Sequence, residues 1–307
     1  MVQKMPFIWF DGKLVPWDEA NVHVLSHTLH YGVSAFEGIR AYKCSDGSSS
    51  VFRLRDHMAR MHDSAKIMRM TIPYSVDALV DATLETLKAN NMAEGYIRPI
   101  AFIGDGVMGV YPADNPVRTV IATWPWGAYL GEEALAGGIR VKTSSFSRHH
   151  VNVMMTKGKV SGNYVNSVLA KMDAKTDGYD EALMLDTHGY VSEATGENIF
   201  MVRKGKIKTP PLGSILDGLT RDCLITLARD LGYDVVEQNF TRDELYTAQE
   251  AFFCGTAAEL TPIREVDNRR IGEGKRGPVA THLQAEYFKI VKGESAKYES
   301  WLHRYSL

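Results

Sequence analysis

The sequence predicts an α+β protein of two domains, and three observations carry that reading. The chain has 307 residues, against a prior of roughly 150 per domain. Helical periodicity and strand-like alternation both occur, but they do not alternate regularly enough for a doubly wound sheet. A stretch with neither period, Trp124-Pro125-Trp126-Gly127-Ala128-Tyr129-Leu130-Gly131, reads as a domain connection. The expected division is a small N-terminal domain over 1–123, an interdomain loop over 124–134 and a larger domain over 135–307. The aromatics of the loop make it a candidate pocket wall between the domains, where the chemistry is expected.

The first element is a hairpin, with Asp11-Gly12 between the apolar runs Ile8-Trp9-Phe10 and Lys13-Leu14-Val15. Met58, Met61, Ala65 and Met68 recur at helical spacing, so 55–70 reads as an amphipathic helix whose Met stripe is core. Ser75 caps a second helix with Val76, Leu79, Val80, Thr83 and Leu87 on one face, ending at Asn90-Asn91. Residues 96–103 alternate as a strand, in which Pro99 suggests an edge or a bulge. A strand over 119–123 precedes the connection.

Beyond it come a strand over 139–143, a loop through Lys159, and a helix over about 162–174 with Val165, Val168, Leu169 and Met172 expected inward. Hairpin signals follow around Thr187-His188-Gly189 and Lys204-Gly205. A helix over 219–231 closed by Gly232 and a capping box at Thr241-Arg242-Asp243-Glu244 complete the mixture.

Composition excludes several function classes. Hydrophobic residues are 45% and charged residues 23%, which is ordinary for a globular chain and too rich in apolar residues for disorder. Lys+Arg is 35 and Asp+Glu 37, a net charge of −2, so no excess of cations is available for nucleic acid. Any bound anion must be held by local geometry. The 3 cysteines show no CxxC spacing and fit a reducing, cytoplasmic setting. No apolar run approaches a signal peptide or a membrane span.

Several motif matches fail on context. Gly104-Asp105-Gly106-Val107-Met108-Gly109 matches the dinucleotide fingerprint, but Pro112 and Pro116 fall where its helix should begin, so an NAD-dependent oxidoreductase is only a remote alternative. Gly272-Glu273-Gly274-Lys275-Arg276-Gly277 follows charged turn residues rather than a buried strand and reads as a solvated hairpin. His23, His27 and His30 lack a carboxylate ligand or an HExxH pattern, so no metal site is expected. No GxSxG elbow anchors a hydrolase triad.

Four local features make sense together. Thr156-Lys157-Gly158-Lys159-Val160-Ser161-Gly162-Asn163-Tyr164 brings two lysines through small residues to a helix, where either could be a Schiff-base nucleophile or a surface cation. Asp217-Gly218-Leu219-Thr220-Arg221-Asp222 presents helix-start amides suited to phosphate, though it would also serve as an ordinary helix start. Gly255-Thr256-Ala257-Ala258-Glu259 offers amides to an anion or is a tight turn. The segment 190–198 carries Glu193 and Glu197 into a turn, which solvation alone would also explain. A lysine, a phosphate cradle, a carboxylate and a second anion site together suit pyridoxal 5'-phosphate chemistry. A binding module without catalysis would share the same parts.

From residue 7 to its end the sequence resembles the class IV (fold type IV) pyridoxal-phosphate-dependent aminotransferases, and among them the bacterial branched-chain amino-acid aminotransferases. The matching stretches include Ser26-His27-Thr28-Leu29-His30-Tyr31-Gly32, Phe36-Glu37-Gly38-Ile39-Arg40, Tyr96-Ile97-Arg98-Pro99, Pro125-Trp126-Gly127-Ala128-Tyr129-Leu130, Gly162-Asn163-Tyr164, Gly196-Glu197-Asn198 and Leu219-Thr220-Arg221-Asp222.

The resemblance implies a small α/β sandwich beside a strand-rich pseudo-barrel. It implies ping-pong transamination of leucine, isoleucine and valine with 2-oxoglutarate, giving branched-chain 2-oxo acids and L-glutamate. It also implies a homodimer or higher homo-oligomer with the active site at the subunit interface. D-amino-acid aminotransferase and aminodeoxychorismate lyase are the alternatives of the same fold.

Carried over residue by residue, Lys159 takes the Schiff-base position, Glu193 pairs with the pyridine nitrogen and Tyr164 meets the ring oxygen. Arg60 binds the phosphate together with the amides of Leu219 and Thr220 and the Thr256 hydroxyl. Tyr96 and the amides of Ala257 and Ala258 match the substrate carboxylate site, and Arg98 receives the distal carboxylate of glutamate. Phe36, Tyr31, Val110, Trp126 and Tyr129 line the apolar pocket, with Tyr31 and Val110 expected from a second subunit. Two positions depart from the family pattern: Asp217 stands where proline is frequent, and Lys157 where a small residue is usual.

Overall fold

The computed structural model of the chain describes residues 2–112, 114–127 and 131–307, the side chain of Glu132 excepted. The chain divides into two compact units, Met1–Gly127 with Gly158–Asn163 and Lys289–Leu307, and Ala128–Lys157 with Tyr164–Phe288. Both mix helices with largely antiparallel sheet, the α+β class that the irregular alternation predicts.

The 158–163 and 289–307 segments pack with the first unit, whereas a linear cut of the chain places them in the second. Backbone pairing is the reason. Val160 bridges Ala35, the Phe36 N–H donates to the Lys159 carbonyl at 3.1 Å, and the last strand, Leu302–Tyr305, pairs with Ser49–Phe52. None of these partners is local in sequence.

In the first unit the strand Gly95–Ile103 is central. It pairs along one side with Val117–Trp124, and along the other with Ser34–Phe36 and Ile39–Lys43 set end to end. Pro99 is therefore not at an edge. It lies opposite the break between the two short strands, where Glu37 donates its N–H to the Pro99 carbonyl, so the missing proline N–H costs no ladder bond. Helices Leu54–Ile67 and Val76–Ala89 cover the sheet, and Met58, Met61, Ala65, Leu79 and Leu87 join Ile39, Ile97 and Ile121 in one core. The Met stripe is core, as its helical spacing requires.

In the second unit a mixed sheet runs from Val191–Ala194 through Glu181–Leu185, Ile139–Thr143, Glu259–Val266, Glu250–Gly255, Asn198–Arg203 and Lys206–Thr209 to Asp234–Glu237. Val141, Leu183, Ile199, Met201, Phe253 and Ile263 lie in its core. A 3-10 turn, Ser161–Asn163, leads into helix Tyr164–Thr176. This helix turns the opposite face inward from the one its apolar residues predict. Ser167, Ala170 and Ala174 are buried, while Val165, Val168, Leu169 and Met172 are 62%, 53%, 42% and 60% exposed. Small residues let the helix approach the strand Glu181–Leu185, and the larger apolar side chains are left outside. Among the described residues no helix is long and apolar enough to cross a membrane.

Candidate active site

In the first unit, Lys159 and Arg98 gather around one aromatic ring. The Lys159 Nζ lies 5.0 Å from the Phe36 centroid and the Arg98 guanidinium carbon 5.0 Å from the same centroid. Phe36 closes a strand, Arg98 is carried by the central strand, and Lys159 is fixed by its backbone, whose N–H donates to Ser64 Oγ at 3.0 Å. An amine and a guanidinium thus share an apolar wall, the setting in which a carbonyl-reactive lysine and a carboxylate anchor can work on one small molecule. The Nε of the half-buried Arg98 is itself buried without a hydrogen-bond partner, an orphaned donor.

Tyr96 is buried two residues away on the same face of its strand, packed edge-on against Trp126 at 4.5 Å and tilted against Trp124 at 5.3 Å. Its hydroxyl passes so close to Gly38 that a Cβ there would lie 2.0 Å from the oxygen, so only glycine admits this position of the ring. Arg40 donates to the carbonyls of Trp126 and Gly127 and holds the start of the aromatic loop. Tyr129 lies outside the described residues.

Arg60 is oriented rather than loose on a helix surface. Its Nε and Nη2 donate to the two oxygens of the fully buried Glu37, each at 2.7 Å, and Glu37 also bonds His57 Nδ1 at 2.7 Å. Burial acts to raise the Glu37 carboxyl, but Arg60 and His57 together overcome it and hold the group well below the usual carboxylate range. The planar fork of Arg60 is thereby locked in orientation.

In the second unit, donors converge on Glu193. The Asn198 amide donates at 3.2 Å, the Leu216 N–H at 3.1 Å, and Arg148 Nη2 sits 2.9 Å from the other carboxylate oxygen. The strand Val191–Ala194 is irregular in register and buried throughout, Glu193 included. Arg148 is itself steadied by Asn166 and Ser167 from the first turns of helix Tyr164–Thr176, which Tyr164 begins.

Helix Leu219–Asp230 starts from Gly218 with no side-chain cap, so its first amides, those of Leu219 and Thr220, present the positive end of the helix dipole to an anion. Gly218 is required because a Cβ there would lie 2.0 Å from Asn198 Oδ1. Thr256, Ala257 and Ala258 form the tip of a tight hairpin closed by the Gly255 to Glu259 pair, with Glu259 left-handed at φ 53°. Tip amides are not used by the ladder and are free to meet a ligand.

The structure thus brings Lys159, Phe36, Tyr96, Arg98, Arg60 and Trp126 into the first unit, and Tyr164, Glu193, Leu219, Thr220, Thr256, Ala257 and Ala258 into the second. Tyr31 and Val110 are exposed at 43% and 86%, and His27 Nε2 bonds the Gly109 carbonyl at 2.8 Å, tying their two segments together. Sequence reasoning missed Glu37, His57, Arg148 and Asn198 as parts of the site. A buried acid beside Phe36 had a local signal only for Glu37, which shares its motif. Arg148, in the irregular 144–160 loop, had none.

The rejected motifs are structural. The loop after Gly104 returns to the strand Val117–Trp124 with no described residue in a helix, and 272–277 follows the exposed pair Arg269–Arg270. His27 and His30 each bond a backbone carbonyl.

Comparison with known proteins identifies the family. The amino-transferase class IV family model matches residues 34–266. A branched-chain-amino-acid aminotransferase of Pseudomonas aeruginosa is 52% identical over 301 residues, covering 98% of each chain. The solved structure of a branched-chain amino acid aminotransferase from T.th. with pyridoxamine 5'-phosphate has a TM-score of 0.95 at 49% identity, covering 98% of each chain. A second T.th. structure, complexed with N-(5'-phosphopyridoxyl)-L-glutamate, has a TM-score of 0.92 at 46% identity, again covering 98% of each. The matched span holds every proposed site residue except Tyr31, and the chain belongs to the class IV aminotransferases.

Proposed function

We propose that this chain moves amino groups between branched-chain L-amino acids and 2-oxoglutarate, giving the branched-chain 2-oxo acids and L-glutamate, with pyridoxal 5'-phosphate as cofactor. The observation that carries the reading is the placement of Lys159 and Arg98 against the same apolar wall, each 5.0 Å from the Phe36 centroid. The ligands of the T.th. relatives, pyridoxamine 5'-phosphate and a phosphopyridoxyl-glutamate, point the same way.

The residues fit the cofactor. The uncapped helix start at Gly218 and the locked fork of Arg60 suit a phosphate dianion, and the buried Glu193 suits a protonated ring nitrogen. When bound, pyridoxal phosphate supplies an electron sink for the bonding pair released at the substrate α-carbon. Lys159 would hold the cofactor through its amine, and that amine would also move the proton of the substrate α-carbon. Arg60, Leu219, Thr220 and Thr256 hold the phosphate, Glu193 holds the ring nitrogen and Tyr164 the ring oxygen. Tyr96, Ala257 and Ala258 receive the α-carboxylate. Phe36, Trp126 and Tyr129 enclose the branched side chain, and Arg98, with its orphaned Nε, receives the distal carboxylate of glutamate.

Tyr31 and Val110 are proposed to serve the site of a second copy. Their exposure, and that of the apolar face of Tyr164–Thr176, supports a homodimer or higher homo-oligomer. The burial of Cys44, Cys223 and Cys254 as thiols rather than disulfides supports a reducing, cytoplasmic location.

The test is chemical. Purified protein should be yellow, and borohydride should fix the cofactor to Lys159. Leucine with 2-oxoglutarate should yield glutamate faster than D-alanine does. A Lys159→Ala protein with normal multiple turnover would overturn the proposal.

A further inference from the structure

Two charged side chains that the proposed chemistry does not use, Lys157 and Asp217, belong to the surroundings of the loop before helix Leu219–Asp230. Lys157 reaches the loop that leads into helix Leu219–Asp230. Its Nζ donates to the carbonyls of Leu212 and Ile215, the second at 3.1 Å. Asp217, one residue before the Gly218 cap, is exposed and would set a negative charge next to an anion site.

The neighbouring carbonyls of this loop are engaged in the same way. Thr156 Oγ1 donates to Gly213 O at 3.2 Å, Ser192 Oγ to Ser214 O at 3.1 Å and Asn198 Nδ2 to Leu216 O at 3.1 Å. Every carbonyl from Leu212 to Leu216 therefore ends on a side-chain donor. A segment whose peptide oxygens are all tied down has its negative dipole ends covered, and the helix start that follows keeps a net positive face for an anion. Lys157 covers two of these oxygens and is the cation of the set.

We infer that Lys157 is a positioning residue for the cofactor phosphate: it holds the 212–216 loop by its carbonyls and offsets the charge of Asp217, so that the Gly218 helix start can accept a dianion. The inference rests on the pyridoxal-phosphate reading above. Electrostatics agree with the geometry. Burial lowers the Lys157 ammonium, and the charges of Asp217 and then Glu193 offset only part of that, which requires these carboxylates to be near enough to feel it.

Because a loop that prepares a helix start for a dianion matters only to a ligand that carries the phosphate, the test compares two ligands. Apo wild type, Lys157→Met, Asp217→Asn and the double variant are each titrated with pyridoxal 5'-phosphate and with pyridoxal, and binding is read from the cofactor absorbance. Lys157→Met should weaken pyridoxal phosphate about 10-fold, the scale of one charge-assisted contact, and leave pyridoxal within about twofold. Asp217→Asn should tighten pyridoxal phosphate, and in the Lys157→Met background it should restore most of the lost affinity.

Equal loss for both ligands in Lys157→Met would mean a loop damaged in general and would overturn the inference, as would unchanged affinity for pyridoxal phosphate. If Lys157→Met does not fold, Asp217→Asn decides alone: affinity for pyridoxal phosphate no higher than wild type overturns it. Wild-type protein that binds neither ligand sinks the cofactor reading itself, whereas wild type that binds normally beside an indifferent Lys157→Met sinks only the role of Lys157.

Discussion

Arg148 and Glu193 form a buried ion pair, with Nη2 2.9 Å from Oε1 and both side chains less than 10% exposed. One comes from an irregular loop and the other from a bulged strand, and the carboxylate proposed to hold the cofactor nitrogen owes its orientation to this pairing.

Removing one member of a buried pair leaves the other charge without its partner and costs about 3–5 kcal/mol. Arg148→Met should therefore lower the thermal unfolding midpoint of the apo protein by several degrees and weaken cofactor binding. Arg148→Met with Glu193→Gln should recover part of the stability but none of the activity. Differential scanning calorimetry of the single and double variants measures the coupling, and additive losses would contradict the pairing.

Arg98 carries an orphaned buried Nε over the Phe36 ring. A hydrogen bond to a charged partner is worth about 1.5–3 kcal/mol, or roughly 10- to 150-fold in affinity. Arg98→Leu should raise KM for 2-oxoglutarate by that factor and change KM for leucine much less, since leucine has no distal carboxylate. Steady-state kinetics with each substrate varied in turn would show equal effects on both if Arg98 had only a structural part.

Gly218 has no room for a side chain, because a Cβ would lie 2.0 Å from Asn198 Oδ1. Gly218→Ala must displace Asn198, which donates both to Glu193 and to the Leu216 carbonyl. An overpacked site of this kind costs about 1–3 kcal/mol. The variant should fold, bind pyridoxal phosphate at least 10-fold more weakly and turn over slowly, as spectrophotometric titration and a coupled assay can establish.

Acid should destabilise the first unit through Glu37 and His57. Glu37 lies well below its ordinary value of 4.5, so its contribution is present above that value and is lost as pH falls below it. Burial lowers His57 from 6.5, outweighing the pull of Glu37, so the folded state favours the neutral ring and loses stability as pH falls below 6.5. Both signs agree. The unfolding midpoint should drop between pH 7 and pH 4, roughly, and Glu37→Gln should start lower at pH 7 yet slope less below pH 5. A midpoint independent of pH over that range would refute the assignment.

Burial of Glu197, reinforced by Glu181, pushes its carboxyl up well above 4.5. The folded state then retains a proton that the unfolded state releases. Its stabilisation is complete below 4.5 and fades as pH rises through the folded value. Glu197→Gln should flatten the alkaline side of the stability curve while leaving the acid side unchanged, a separation that a pH series of melting curves can resolve.

Periodicity and turn chemistry determined much by themselves. The first hairpin, helices Leu54–Ile67 and Val76–Ala89 and the strand Ile139–Thr143 stand where local patterns put them, because each depends on neighbours a few residues apart. The motif of Lys159, the helix start after Gly218 and the small-residue turn at Thr256 are likewise legible, since a loop, a helix start and a hairpin tip are local objects.

Tertiary structure alone decided the rest. It showed that helix Tyr164–Thr176 buries its small residues and exposes its large ones, because period fixes that a helix has faces but not which one meets a sheet. It placed Pro99 at a gap between two partner strands and moved the Lys159 segment to the first unit, both through pairing with strands distant in sequence. It supplied Glu37 for Arg60 and Arg148 for Glu193. A charge pair has no sequence period, so the cation that locks a buried carboxylate is found only when folding has brought the two together.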